Sequence, residues 1–169
     1  GQIQTASYRA IKNGIKMKDI FEIVNKFKKN KNSKPVILMG YYNMIYQYGQ
    51  NRFIRKCKAV GVDGLIVVDL PWPDNLNFAK RCKKNSITFV QLLSPTTSKI
   101  RMKKIINDSH EMLYLISMLS TTGGKLKISP KRIFENYNKI KKMIKKKNKN
   151  LVIGFGITSK NISAFKASD

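Results

Sequence analysis

A chain of 169 residues with 42% hydrophobic content can bury a core of one domain, removing roughly 70% of its unfolded surface from water, so a disordered chain is excluded. No apolar run approaches the ~20 residues of a membrane helix. Thirty-four basic against nine acidic residues give a net charge of +25 and raise the question of a nucleic-acid partner.

The charge pattern argues against that partner as the main function. Basic residues are spread over most predicted helices, and the densest run, Lys141 to Lys149, reads as the outer face of one helix. Lys, Asn and Ile are abundant together, as a low-GC coding bias produces, and no RNP-like, helix-turn-helix or zinc-finger pattern is present. Cys57 and Cys82 fall on separate predicted helices without a CxxC, which fits a reducing compartment and no disulfide framework. The single histidine, His110, sits in the polar turn INDSHEM, so a His/Cys metal site has almost no ligands. The first residues, GQIQTASYRAIKNG, carry neither an apolar signal core nor an initiator Met, and a fragment of a longer chain is expected.

In chain order, Ser7 to Asn13 reads as the end of a short helix stopped at Gly14. Met17 to Asn30 is helical, with an apolar stripe at Ile20, Phe21, Val24 and Phe27. Val36 to Gly40 is a strand, with Tyr41, Tyr42 and Asn43 as its exit loop. Asn51 to Val60 is helical, with Phe53, Ile54 and Cys57 inward and Gly61 as the left-handed C-terminal residue. The stretch around which the rest repeats is GVDGLIVVDLPWP, Gly61 to Pro73. A short β-branched run closed by prolines reads as a parallel strand buried on both faces. Asp74 then caps a helix over 75–83, Ile87 to Leu93 is the next strand, and Ser98 to Asn107 is a helix burying Ile100, Ile105 and Ile106. Met112 to Ser117 is a fourth strand, followed by the small-residue loop Leu119 to Gly124. Pro130 to Lys147 is the longest helix, Leu151 to Phe155 a fifth strand, and a last helix begins after Gly156.

Strands starting near 35, 64, 87, 112 and 151, each followed by a helix, imply right-handed βαβ units and a parallel sheet in one domain over 1–169. No strand exit offers the GxGxxG of a dinucleotide site, so a (β/α)8 barrel is preferred to an open doubly wound sheet. Five units make it partial. In a barrel the strand exits carry the chemistry: Tyr41, Tyr42 and Asn43; Asp69; Ser94 and Thr96; Ser117 with Thr122, Gly123 and Gly124; Gly154 and Gly156. The two glycine-containing exits can present backbone N–H groups to a phosphate, or can be ordinary turns. Asp69 is the one carboxylate at a predicted strand end: a general base, or a structural acid that caps a helix or meets a partner. Tyr114 sits mid-strand, as core or as a pocket hydroxyl, and Trp72 is a contact or loop residue.

The segments ILMGYYNMIYQYG, GVDGLIVVDLP, LLSPTTSKIRMKKI, YLISMLSTTGG and VIGFGIT, in this order and spacing, resemble the tryptophan synthase alpha chain family, and IQTASYRAIKNG resembles the family's IQ…A..RA…G stretch. The resemblance implies a (β/α)8 barrel, of which this chain would cover about strands three to seven. It implies a cytoplasmic carbon–carbon lyase of tryptophan biosynthesis, cleaving indole-3-glycerol phosphate to indole and glyceraldehyde 3-phosphate. No cofactor is implied for this chain, because pyridoxal phosphate belongs to the beta chain, its partner in an α2β2 heterotetramer. By resemblance Ile3, Met39, Ile66 and Val68 contact the indole ring, Tyr114, Thr122 and Gly123 line the pocket, and Phe155 and Gly156 form a phosphate-side loop. Asn43, Tyr46, Asp69 and Pro71 match the surface that meets the beta chain, which sets the resemblance against the general-base reading of Asp69. The family's two catalytic carboxylates match positions upstream of Gly1, so no catalytic residue is expected within the 169 residues, and these residues alone are expected to be inactive. Leu119-Ser120, where the family usually has a Gly, and Met44, where many members have Pro, depart from the pattern. The rivals are a basic nucleic-acid-binding α/β domain, or another phosphate-binding barrel such as indole-glycerol phosphate synthase, against which the YYN and DLP motifs argue.

The charge makes its own prediction: retention on heparin at low ionic strength, lost steeply as salt is raised above roughly 0.2 M. Sequence-selective binding that survives such salt would restore the nucleic-acid reading.

Overall fold

In the computed structural model, strands and helices alternate through the described residues, 2–117, 130–145, 147–155, 157, 159 and 162–165. The chain divides into two compact units, residues 8–90 and residues 1–7 with 91–169.

In the first unit, α1 (Gln2–Lys12) ends and α2 (Met17–Lys28), β1 (Ile37–Gly40), α3 (Tyr42–Tyr48), α4 (Gln50–Val60), β2 (Gly64–Val67), α5 (Leu76–Lys84) and β3 (Thr88–Phe89) follow. The three strands are parallel in the order β1-β2-β3, with Met39 beside Ile66 and Leu65 beside Phe89. Strand alternation divides the residues of this sheet between two faces. Leu65, Val67 and Phe89, with Val36 and Leu38, join the helical core of Phe21, Val24, Phe53, Ile54, Phe78 and Ala79. Met39, Ile66 and Val68 fall on the other face, outside that core. Cys57 and Cys82 are fully buried free thiols. Burial pushes both up to about 12, Cys57 further raised by the charge Cys82 would carry, so both stay protonated near neutral pH.

Four expectations change here. The α2 stripe is narrower than its periodicity implies: Phe21 and Val24 are buried, while Ile20 and Phe27 remain exposed. Tyr41, Tyr42 and Asn43 do not form an exit loop, because Tyr42 opens α3, whose Ile45 is buried and whose Tyr42 and Tyr48 pack against the core. Asn75, not Asp74, is the N-terminal residue of α5. It is buried, and its side-chain amide donates to the Leu70 carbonyl at 3.1 Å rather than capping the helix. The strand expected over 87–93 is two: β3 pairs with β2, Val90 N–H still donates to Leu65 O at 2.9 Å, and the next three residues form a separate strand.

In the second unit, β4 (Gln91–Leu93), α6 (Lys99–Asp108), β5 (Met112–Ile116), α7 (Pro130–Ile144), β6 (Asn150–Gly154) and a 3-10 turn (Ile162–Phe165) follow one another. The strands are again parallel, in the order β4-β5-β6. Buried Ile105, Ile106, Leu113, Leu115, Ile133, Tyr137, Ile140 and Leu151 form the apolar interior. Ile100, expected inside, is 73% exposed, because it lies in the first turn of α6, where Ser98 caps Arg101 N–H. The lysine run 141–149 is not one helix face, since α7 ends at Ile144. Lys149 instead turns its ammonium onto the C-terminal end of α6, donating to Ile106 O and Ser109 O, both at 2.5 Å, and to Ser109 Oγ at 2.9 Å. A cation there meets carbonyls that have no helical partner, at the negative end of the dipole. His110 lies half-buried between α6 and β5, and among the described residues no group of His, Cys, Asp and Glu is arranged to hold a metal.

One surface acid ties the first unit together. Asp63 Oδ2, just before β2, accepts from Val36 N–H at 2.6 Å, just before β1, and from Lys28 Nζ at 2.8 Å, at the end of α2. Burial alone would raise the Asp63 carboxyl; the Lys28 ammonium and the Val36 N–H outweigh it and hold the group below its ordinary value. The Lys28 stem also covers Gly61, whose φ of +85° closes α4. Because the folded carboxyl is the stronger acid, its contribution is complete above the unfolded value near pH 4 and is lost as pH falls through the lower folded value. In the full-length gene product, Asp63→Asn should therefore lower stability at pH 7 and flatten its decline below about pH 4, read as urea midpoints across that range. Parallel pH profiles for the two proteins would contradict the linkage.

Candidate functional site

Parallel strands with helical crossovers put their C-terminal ends on one edge of each sheet, so the side chains there are set by strand register. In the first unit that edge carries Met39, Ile66 and Val68. Ile66 is buried, Val68 half-buried and Met39 exposed, all three on the face opposite the helices. The sheet thus brings the proposed ring contacts together as a small apolar surface. Its rim is α3, with Asn43 and Tyr46 exposed beside Asp69 and Pro71 of the β2 exit, also exposed. Asp69 Oδ1 accepts from Tyr42 N–H at 2.7 Å. The acid therefore caps α3, the helix after the neighbouring strand, and ties the β1 and β2 exits together. Its structural reading stands over the general-base one. Trp72, half-buried, follows in the same turn.

In the second unit, the hydroxyls at the β4 exit serve their own turn. Ser94 N–H donates to Thr97 Oγ1 at 3.0 Å, and the Ser94 and Thr96 hydroxyls are hydrogen-bonded to each other at 2.7 Å. The exits of β5 and β6 are more closely built. Tyr114 on β5 stands over Gly154, the last residue of β6, with its ring edge-on to Phe155 at 6.2 Å between centroids. A Cβ on Gly154 would come 1.5 Å from the Tyr114 hydroxyl and 2.1 Å from Cζ, so only glycine fits beneath the ring. Burial raises the Tyr114 phenol, and a hydrogen bond with the Phe155 backbone opposes the rise without cancelling it. The group is a neutral hydroxyl that can orient a ligand, not a base. Phe155 itself adopts φ +70°, a left-handed conformation uncommon for an aromatic residue and concentrated at functional turns.

Thr122, Gly123 and Gly156 lie outside the described residues, as does the side chain of Ile3, which belongs to α1. Two features escaped sequence reasoning. The role of α3 was hidden because three tyrosines in seven residues give weak helix propensity, although Tyr42, Ile45 and Tyr48 with Gly49 behind them carry a helical spacing. Gly154 reads as a turn glycine until the β5–β6 register places it beside Ile116, two residues beyond Tyr114 on the same face.

Parallel strands alternating with helices in each unit fit the (β/α)8 class, of which this chain carries about five strand–helix units. Comparison with known proteins makes this specific. The sequence profile of the tryptophan synthase alpha chain family matches residues 1–167. The tryptophan synthase alpha chain of Pelagibacter ubique is 70% identical over all 169 residues, which span 63% of that protein. That of Pyrococcus furiosus is 37% identical over 158 residues, 94% of this chain and 62% of its own. A solved structure from the α2β2 tryptophan synthase complex of P. furiosus superposes with a TM-score of 0.81 at 35% identity, over 96% of this chain and 63% of the other. The chain belongs to the tryptophan synthase alpha chain family.

The Tyr114–Gly154 contact is directly testable. In the full-length gene product, Gly154→Ala should cost about 1–3 kcal/mol of stability through overpacking, measured by urea unfolding. Tyr114→Ala should remove most of that cost, because the ring causes it. Equal costs in both backgrounds would show that the ring is not what excludes a side chain.

Proposed function

We propose that the protein is the alpha subunit of a tryptophan synthase, a lyase that cleaves indole-3-glycerol phosphate to indole and glyceraldehyde 3-phosphate. The reading rests chiefly on 70% identity along the whole chain to a tryptophan synthase alpha chain. In this reaction the bond between indole C3 and the glycerol carbon breaks, C3 gains a proton, and the adjacent glycerol hydroxyl loses one as the aldehyde forms. The residues of this chain bind and orient. Met39, Ile66 and Val68, with Ile3, offer apolar surface to the indole ring. Tyr114, Thr122 and Gly123 line the pocket, and Phe155 and Gly156 lie on the phosphate side, where backbone N–H groups suit an anion. The acid and base come from the two carboxylates that the resemblance matches upstream of Gly1, so residues 1–169 alone should release indole at least about 100-fold more slowly. Both compact units belong to one barrel domain in this reading.

The partner is a beta chain, the subunit that carries pyridoxal phosphate; this chain needs no cofactor of its own. Asn43, Tyr46, Asp69 and Pro71 face it. Tyr46 is 65% exposed, on a helix whose first N–H donates to Asp69. The two free, buried thiols fit the cytoplasm, where no disulfide is required.

The deciding assay is indole release from indole-3-glycerol phosphate by the full-length gene product, alone and with its beta chain. Turnover that rises when the beta chain is added is expected. Absence of indole in both conditions would overturn the assignment.

A further inference from the structure

We infer that Ser117 is a positioning residue for the substrate site: its buried hydroxyl latches the end of β6 and holds Phe155 in the conformation that binds. The inference deepens the proposed function, since it rests on Phe155 belonging to that site. Ser117 is fully buried, in the first position after β5. Both of its donors go to one acceptor: backbone N–H at 2.9 Å and Oγ at 2.7 Å, each to the Gly154 carbonyl. The same hydroxyl also contacts the Phe155 carbonyl. The Gly154 oxygen thus has two donors, enough for both of its lone pairs.

The latch sits where the chain turns through the left-handed Phe155 conformation, which persists only where its surroundings hold it. From the opposite side of the sheet, Tyr114 engages the Phe155 backbone and meets its ring edge-on. Phe155 is therefore held between a hydroxyl from each side of β5. Ser117 falls on the face of β5 away from Tyr114, three residues along, so it does not touch the ligand that Tyr114 and Phe155 would contact. It acts through the carbonyl it holds. Without its hydroxyl the binding-competent conformation becomes one of several, and apparent affinity falls in proportion to its population. Such a loss affects ground and transition states alike, so KM rises while kcat does not change.

The test compares Ser117→Thr with Ser117→Val in the full-length gene product, two side chains of nearly equal volume that differ in the hydroxyl. Ser117→Val should raise KM for indole-3-glycerol phosphate about tenfold with kcat within about twofold, and Ser117→Thr should restore KM. Ser109→Ala serves as the control: it removes another buried hydroxyl, one that donates to Ile106 O at 2.9 Å at the end of α6, and it should lower the melting temperature without moving KM. The NMR signal of the Phe155 amide, recorded without substrate, should shift in the Val protein and not in the Thr protein. Equal KM values for Thr and Val, or an unmoved Phe155 amide in the Val protein, would overturn the positioning role. A wild-type protein that cleaves no substrate would instead remove the proposed function, and the amide signal would still decide whether the latch exists.

Discussion

The constraint on which everything else depends is the two-residue alternation of short parallel strands. Leu65 and Val67 of β2 enter the helical core, while Ile66, and Val68 just beyond the strand, fall on the opposite face. Four residues, 65–68, are enough to give the core one pair of side chains and the opposite face the other, because side chains on a regular pleated strand alternate. A one-residue slip in the pairing of β1 with β2 would exchange the two sets and move Met39 into the helices. The register is protected at both ends. Asp63 fixes the start of β1 beside the start of β2 through Val36 N–H, and Asp69 fixes the exit of β2 against the first turn of α3.

Two of the chain's few carboxylates, Asp63 and Asp69, serve the backbone. With nine acidic residues against thirty-four basic ones, each well-placed carboxylate is valuable to the backbone. Asp63 and Asp69 each accept a main-chain N–H that would otherwise lack a partner. The lysines make the complementary use of the same logic at helix C-termini, where Lys149 supplies donors to the carbonyls at the end of α6. At Lys149 part of the large positive charge is thus structural.

Most of this architecture was legible in the sequence. Short β-branched runs recurring with helices between them gave the parallel strand–helix repeat, and Gly61 and Ser98 marked helix ends where expected. The misplaced apolar residues share one cause: periodicity describes which residues lie on a face but not whether anything covers that face. Ile20, Phe27 and Ile100 have the right spacing and remain exposed. Val90 has the composition of a continuous strand, yet the ladder changes partner there. The site was legible only through resemblance. Met39, Ile66 and Val68 are ordinary strand residues by composition, and nothing in their local sequence distinguishes them from the core residues between them.

The β5–β6 exit shows what resemblance alone leaves out. A motif such as GFG identifies a turn, but the reason for its first glycine is the Tyr114 ring forty residues earlier, and its phenylalanine, in a left-handed backbone, follows a carbonyl that the Ser117 hydroxyl holds. Each of these residues is individually replaceable on chemical grounds; together they are not, since the ring needs the glycine, the turn needs the latch, and the latch needs a small donor at the end of β5. A binding loop on a rigid sheet gains its geometry from such mutual requirements between neighbouring strands. The geometry of this exit therefore resides as much in buried hydrogen bonds such as that of Ser117 as in the exposed side chains around it.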